Sequence, residues 1–326
     1  SPHMFDFRER IKVNSNKIEK KTVIDFVEKN KNYFLSKRNS FFEISFAMAI
    51  SYFKNQKVDY AVIEVGLGGR LDATNVIHPL LSVITNIGLD HIKFLGDKIT
   101  SIANEKAGII KKNVPVLIGE KNKEIDEIFI EKAKRESSKI FFTEDFSSSD
   151  FDLNLKTNYQ RKNMSTTFAA IQILFGNKIT NDIFKRGILN LKGNTLLRGR
   201  WEKVMNKPLV IADVAHNEEG FKEVISEINR IKAHKKIFVL GFVKDKPIEK
   251  IIKLFPKEGI FFFSSPKISR ALSSKNLKLI LKNTDINFEI FESIQEAYKR
   301  ALNNASKEDF IFIGGSNFTV SEILNP

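Results

Sequence analysis

Apolar positions fall along this chain in two rhythms: short unbroken runs, and longer stretches where they recur every third or fourth residue. The first predicts buried strands and the second amphipathic helices; their alternation predicts an α/β fold. In the first half, strands are expected at 58–65, 81–87 and 114–118, and helices at 41–53, 99–110, 125–137 and 159–175. The 41–53 helix is apolar nearly all round, which predicts burial. The second half is more regular. Strands at 209–212, 237–240, 260–263, 288–291 and 310–313 alternate with helices at 218–231, 248–254, 273–281, 294–303 and 318–324. In the first of these helices Phe221, Val224, Ile225, Ile228 and Ile231 form one stripe, Asn217 can cap the start, and Glu218 and Glu219 suit the positive end of the dipole. Five such β/α units build an open twisted sheet with helices on both faces.

A chain of 326 residues, 42% apolar, reads as two domains. The boundary falls in a stretch containing Gly and Arg near 197–201, giving domains 1–197 and 198–326. The absence of Cys excludes disulfides, thiolate zinc sites and a Cys nucleophile. No apolar run reaches the length of about 18 residues that spans a bilayer, and residues 1–4 carry no apolar signal region. The net charge is +14, yet only 12 of the 53 basic residues are Arg, and the Lys are scattered among Glu, Asn and Ile. A solvated Lys-rich surface accounts for that better than a reader of DNA bases, which leans on the Arg fork.

Four segments could carry chemistry. In Glu64-Val-Gly-Leu-Gly-Gly-Arg-Leu-Asp-Ala-Thr-Asn75 a strand delivers Glu64 to its C-terminal end, where open α/β sheets bind ligands. The glycines allow a sharp turn or a close approach, but their spacing does not fit a dinucleotide loop. The plain alternative is a turn with an Arg70–Asp72 ion pair. Asp90 and His91 follow the next strand, at the same edge as Glu64, and with it they could hold a hard divalent metal. Lys106 lies in a mostly apolar helical context; a buried amine there could turn nucleophilic, whereas the residue pattern alone favours a solvated Lys paired with a nearby Glu. Asp213-Val-Ala-His-Asn217 follows a strand and opens a helix, whose free N–H groups suit an anion. Capping explains Asn217 and leaves Asp213 and His216 unaccounted for. No Walker-type phosphate loop, His-Glu-x-x-His helix or Gly-x-Ser-x-Gly elbow occurs.

Taken in order, Ser1-Pro-His-Met, Glu9-Arg-Ile11, Phe42-Glu43, the Glu64 to Asn75 block, Asn86-Ile-Gly-Leu-Asp-His91, Glu105-Lys-Ala-Gly-Ile109, Gly199-Arg200, Asp213 to Asn217 and Gly315-Ser316 resemble the folylpolyglutamate synthase/dihydrofolate synthase family of the Mur ligase superfamily. The resemblance implies a central ATPase-like α/β domain, incomplete at its N-terminus, and a C-terminal Rossmann-like doubly wound domain. It implies ligation of L-glutamate to a folate or dihydropteroate with ATP and Mg2+ through an acyl phosphate, in a cytoplasmic monomer that binds neither nucleic acid nor membrane. A transition state of that kind concentrates negative charge and must be kept from water. Also implied are Glu64 and His91 as magnesium ligands and Lys106 as a carbamylated lysine that helps hold a second metal. Asn163 and Arg200 resemble nucleotide contacts. Asp213 and His216 resemble residues at the nucleotide and glutamate end, and Ser1, Pro2 and His3 the loop beside the folate.

Two departures stand out. In the family a strand, a phosphate-binding loop and its helix precede the Ser-Pro-His segment, with which this sequence begins. The expectation is a fragment of an active ligase; the rivals are a non-catalytic folate-binding relative and a peptidoglycan-precursor amino-acid ligase. A missing strand would expose a sheet edge or an apolar face. Val214 also stands where Gly is more usual.

Overall fold

The computed structural model describes residues 3–146, 157–244 and 246–325, with the backbone alone at Asn177. The chain divides into two compact units, Ser1–Leu155 with Gln160–Leu196, and Lys156–Tyr159 with Leu197–Pro326.

The first unit opens with a small hairpin, β1 (Lys12–Val13) and β2 (Asn16–Lys17), then helices α1 (Lys20–Lys37) and α2 (Phe41–Gln56). Ser40 caps α2 through a reciprocal pairing with Glu43. Strands β3 (Ser82–Ile84), β4 (Val116–Ile118) and β5 (Ile140–Phe142) form a parallel sheet in that order. Helices α3 (Ile92–Leu95) and α4 (Ile99–Ala107) follow β3, and α5 (Asp126–Arg135) links β4 to β5. Ile84, Ala103, Ala107, Val116, Ile118 and Phe129 make the core between sheet and helices. Helix α6 (Asn158–Phe175) buries Met164 and Phe168 against Phe184 of α7 (Asn181–Leu189), which α8 (Leu191–Thr195) follows.

Two expectations fail here. Segment 58–65 is no strand: among the described residues nothing pairs with it, β3 has a strand partner on one side alone, and Val62 is 97% exposed. Its apolar run satisfies the sequence pattern for a strand, but a strand needs a neighbour for its backbone groups. Helix α2 is likewise not buried all round. It sinks Ser45, Met48 and Ala49, and leaves Phe41 58% exposed.

The second unit is a six-stranded sheet in the order β10-β9-β8-β11-β7-β6. Its strands are β6 (Glu202–Met205), β7 (Leu209–Ala212), β8 (Lys236–Leu240), β9 (Ile260–Ser264), β10 (Asn287–Phe291) and β11 (Phe310–Gly314). All are parallel except β6, an edge strand antiparallel to β7 that the apolar pattern did not reveal. The buried runs of β8, β9 and β11 read as continuous apolar residues because both faces are covered. Helices α9 (Glu218–Arg230), α10 (Ile248–Ile252) and α11 (Ser274–Leu281) meet Phe238, Phe261, Phe263 and Phe312 on one face. Helices α12 (Ile294–Asn304) and α13 (Asn317–Leu324) lie against the sheet's other residues. β11 therefore sits between β7 and β8 while its following helix takes the opposite face, which opens crevices at the C-terminal ends beside it. Among the described residues no helix is long and apolar enough to cross a membrane.

Candidate functional site

The Glu64 to Asn75 loop is docked onto the end of α4. The Arg70 N–H donates to the Glu105 carbonyl at 2.8 Å, and the Arg70 guanidinium pairs with the Glu105 carboxylate at 2.9 Å. Asn75 Nδ2 donates to the carbonyls of Arg70 and Gly108, and Lys111 Nζ to the Asn75 carbonyl. Asp72 is not Arg70's partner, as the plain reading had it. Its carboxylate accepts from the N–H groups of Gly66, Leu67 and Thr74 and so ties the loop to itself. The glycines serve close approach: a Cβ on Gly69 would lie 2.7 Å from the Glu105 carbonyl oxygen.

That docking places the loop beside the turn that carries Lys106. Burial pushes the Lys106 amine below its ordinary range, and the Asp90 carboxylate pulls it back up. The nearby Glu is taken by Arg70, so Lys106 is not the solvated, Glu-paired residue that the pattern alone favours. Glu64 is exposed in the loop, and exposed His91 holds a left-handed conformation (φ 53°) at the start of α3, with its N–H on Asp90 Oδ1. Among the described residues no three His, Asp or Glu side chains converge as a ready-made metal cage. Magnesium does not require one: it is held by one or two protein ligands with phosphate oxygens and water, and a carboxylate such as that of Glu64 is a hard donor of that kind.

In the second unit the C-terminal end of β7 carries a buried anchor. Asp213 is 3% exposed, and its carboxylate accepts from Trp201 N–H at 2.7 Å, Tyr159 O–H at 2.8 Å and Ala215 N–H at 2.9 Å. Burial pushes its pKa up, while these bonds and the Arg200 charge hold it down. With three internal donors on it, the carboxylate holds the turn more than it reaches outward. His216 donates from Nδ1 to the Val214 carbonyl at 3.1 Å, so the neutral ring carries its lone pair on Nε2. Asn217 caps α9 through Gly220 N–H.

Residues 12–190 match the family described as Mur ligase middle domain, and residues 199–317 the Mur ligase, glutamate ligase domain. A dihydrofolate synthase/folylpolyglutamate synthase of Buchnera aphidicola subsp. Schizaphis graminum is 34% identical over 347 residues, covering 100% of this chain and 80% of that protein. This chain belongs to the dihydrofolate synthase/folylpolyglutamate synthase family of Mur ligases. Within that synthase family the Bacillus subtilis protein is 30% identical, with 99% of this chain and 82% of that one covered. Escherichia coli FolC in complex with ADP superposes with a TM-score of 0.89 at 26% identity, over 99% of this chain and 80% of that one. Mycobacterium tuberculosis folylpolyglutamate synthase complexed with ADP gives 0.88 at 25%, over 99% and 82%.

Other residues singled out in this synthase-family chain are placed as follows. Ser1 and Pro2 lie outside the described residues. His3 accepts from Arg10 Nε at 2.9 Å on Nδ1; burial and the Arg10 charge lower its pKa. Asn163 is exposed on α6, and Arg200 is exposed next to buried Trp201. A cavity of about 410 Å³ opens at the C-terminal ends of β4 and β5, beside Glu120, Thr143 and Lys162; none of the residues chosen from the sequence lines it. Sequence reasoning passed over Tyr159 and Glu227. Glu227 was findable, as a carboxylate three residues from Val224 beside an apolar stripe.

Proposed function

We propose that this chain carries out the ATP- and Mg2+-dependent ligation of L-glutamate to a folate, with dihydropteroate as a further acceptor of glutamate. The observation that carries the reading is the match of both ligase domains, with a relative aligned over 100% of this chain and 80% of its own length. In the reaction a substrate carboxylate oxygen takes the γ-phosphoryl group of ATP, releasing ADP. The glutamate nitrogen then attacks the acyl carbon; phosphate leaves with the bonding pair, and the nitrogen gives up a proton. Glu64 and His91 would hold magnesium, which neutralises phosphate charge when bound. Lys106 would take up carbon dioxide as a carbamate: the neutral amine attacks the carbon, a proton departs, and the new carboxylate would serve as a further metal ligand. Partial burial favours the neutral amine that this step needs. Arg200 and Asn163 contact the nucleotide, and His216 and the Asp213 turn sit at the glutamate end.

The direct test is incubation with ATP, Mg2+, L-glutamate and either tetrahydrofolate or dihydropteroate, with the product identified by mass spectrometry. A glutamate-extended folate formed with stoichiometric ADP is expected of the protein as its source makes it; ATP consumed without it, or no reaction of that protein with every substrate supplied, removes the reading. Glu64→Gln and His91→Ala are expected to lower turnover about 100-fold or more, as for other lost electrostatic contacts to a transition state, with folding kept. Unchanged turnover would remove the metal assignment. With 13C-bicarbonate, a carbamate carbon signal is expected by NMR and should vanish in Lys106→Ala, whose lost turnover short carboxylic acids should partly restore. Identical spectra for the two proteins would end the carbamate idea.

A further inference from the structure

We propose that Tyr159 is a positioning residue for the nucleotide: its hydroxyl, through Asp213, sets the Gly199–Trp201 turn that carries Arg200. The proposal rests on the ligase reading for what Arg200 contacts, and on geometry for the rest. The turn is laced to the end of β7 from both sides. Val214 N–H donates to the Gly199 carbonyl at 3.0 Å, and Trp201 N–H donates back to Asp213 Oδ2 at 2.7 Å. Both Gly199 and Trp201 hold left-handed conformations, φ 68° and 48°. For a bulky aromatic that backbone is unfavourable and persists only where neighbours over-determine it. Asp213 supplies that restraint, and the same Oδ2 atom receives the Tyr159 hydroxyl at 2.8 Å.

Tyr159 is itself held in place. It is the second residue of α6, whose first N–H, on Asn158, donates to Glu227 Oε1 of α9 at 3.1 Å. Glu227 is buried, is braced by Arg230 at 2.9 Å, and puts negative charge where the helix dipole is positive. Burial and the Asp213 carboxylate hold the phenol well above its usual pKa, so it stays a donor. The charged and titratable groups around Asp213 are then Tyr159 and Arg200, and the phenol fixes which way the carboxylate faces. Loss of the hydroxyl leaves Oδ2 with the Trp201 bond alone, and the carboxylate gains room to rotate away from a strained turn.

Trp201 is the only tryptophan in the chain, so its emission reports this turn directly. The experiment titrates wild type, Tyr159→Phe and Tyr298→Phe with ADP and Mg2+, reading Trp201 fluorescence and checking by calorimetry. Amide hydrogen exchange at Trp201 is measured on the same proteins. Tyr298, half-buried on α12, is the control for removal of a phenolic oxygen elsewhere in the unit. In Tyr159→Phe, ADP affinity is expected to fall about tenfold and Trp201 exchange to rise about tenfold, the effect of one hydrogen bond to a charged group. The midpoint of thermal unfolding should fall by only a few degrees, and Tyr298→Phe should match wild type. Unchanged ADP affinity in Tyr159→Phe overturns the proposal, even if stability falls, because Tyr159 is then a structural brace. Unchanged Trp201 exchange overturns it as well, since the turn is then set without the phenol. Failure of wild type, in the form its source makes, to bind ADP would sink the ligase reading instead, and Trp201 exchange would still decide whether Tyr159 sets the turn.

Discussion

Asp213→Ala is expected to destabilise the second unit by about 3–5 kcal/mol, the cost of leaving buried donors of a charged acceptor without a partner. Three donors lose that acceptor together: Trp201 N–H, Ala215 N–H and the Tyr159 hydroxyl. Water cannot readily replace it, because Trp201 is 8% exposed and Val214 is buried as well. Since Trp201 lies in the second unit and no other tryptophan competes, urea unfolding followed by its fluorescence isolates that unit. The pH dependence has a definite sign. Burial raises Asp213 above its usual 3.8, so the folded state binds the proton more readily than the unfolded one. The group's titration contributes stability that is full below 3.8 and is lost as pH rises through the folded value. The stability gap between wild type and Asp213→Ala should therefore narrow from about pH 4 towards neutrality. A gap that widens would show that the three donors outweigh burial at Asp213; a variant as stable as wild type would show that the carboxylate does not hold the turn.

Gly108→Ala is expected to pry the Glu64 to Asn75 loop off α4. The backbone at Gly108 is ordinary, φ −61° and ψ −13°, so the conformation tolerates alanine. Space does not: the added Cβ would lie 2.4 Å from both Cα and Cβ of Arg70, and backbone atoms cannot swing aside. Overpacking of this kind costs about 1–3 kcal/mol or more. Here it also strains the Arg70 N–H bond to Glu105 and the Asn75 bond to the Gly108 carbonyl. Amide exchange at Arg70 and Asn75 should speed up, and glutamate ligation should fall in step. Gly187→Ala is the matched control. It lies inside α7 with nothing within 4 Å of the new methyl, and should stabilise by roughly 0.5–1 kcal/mol. Similar protection of Arg70 in wild type and Gly108→Ala would mean that the loop does not depend on this contact.

Much of the second unit is readable from residue pattern. Runs such as Ile237 to Leu240 and Phe310 to Ile313 are apolar at every position because helices cover both faces, and periodicity registers that directly. The Asn217 cap and the α9 stripe are equally local, resting on residues three or four apart. The strand that failed to form in the first unit failed for a physical reason. Residues 58–65 meet every local requirement of a strand, but pairing is a property of two segments, and Val62 remains exposed.

The same division separates the chemistry. The sequence by itself determined which chemically capable residues the chain carries and in what order, namely Glu64, His91, Lys106, Asp213 and His216, together with the family whose motif order they follow. Only the tertiary structure decided their states. Arg70 takes Glu105 rather than Asp72, which leaves Lys106 partly buried beside Asp90. Asp213 gathers donors from residues 12 and 54 positions away, at Trp201 and Tyr159. Burial and partner choice depend on which segments meet in space, and no spacing along the chain encodes a contact between positions that far apart.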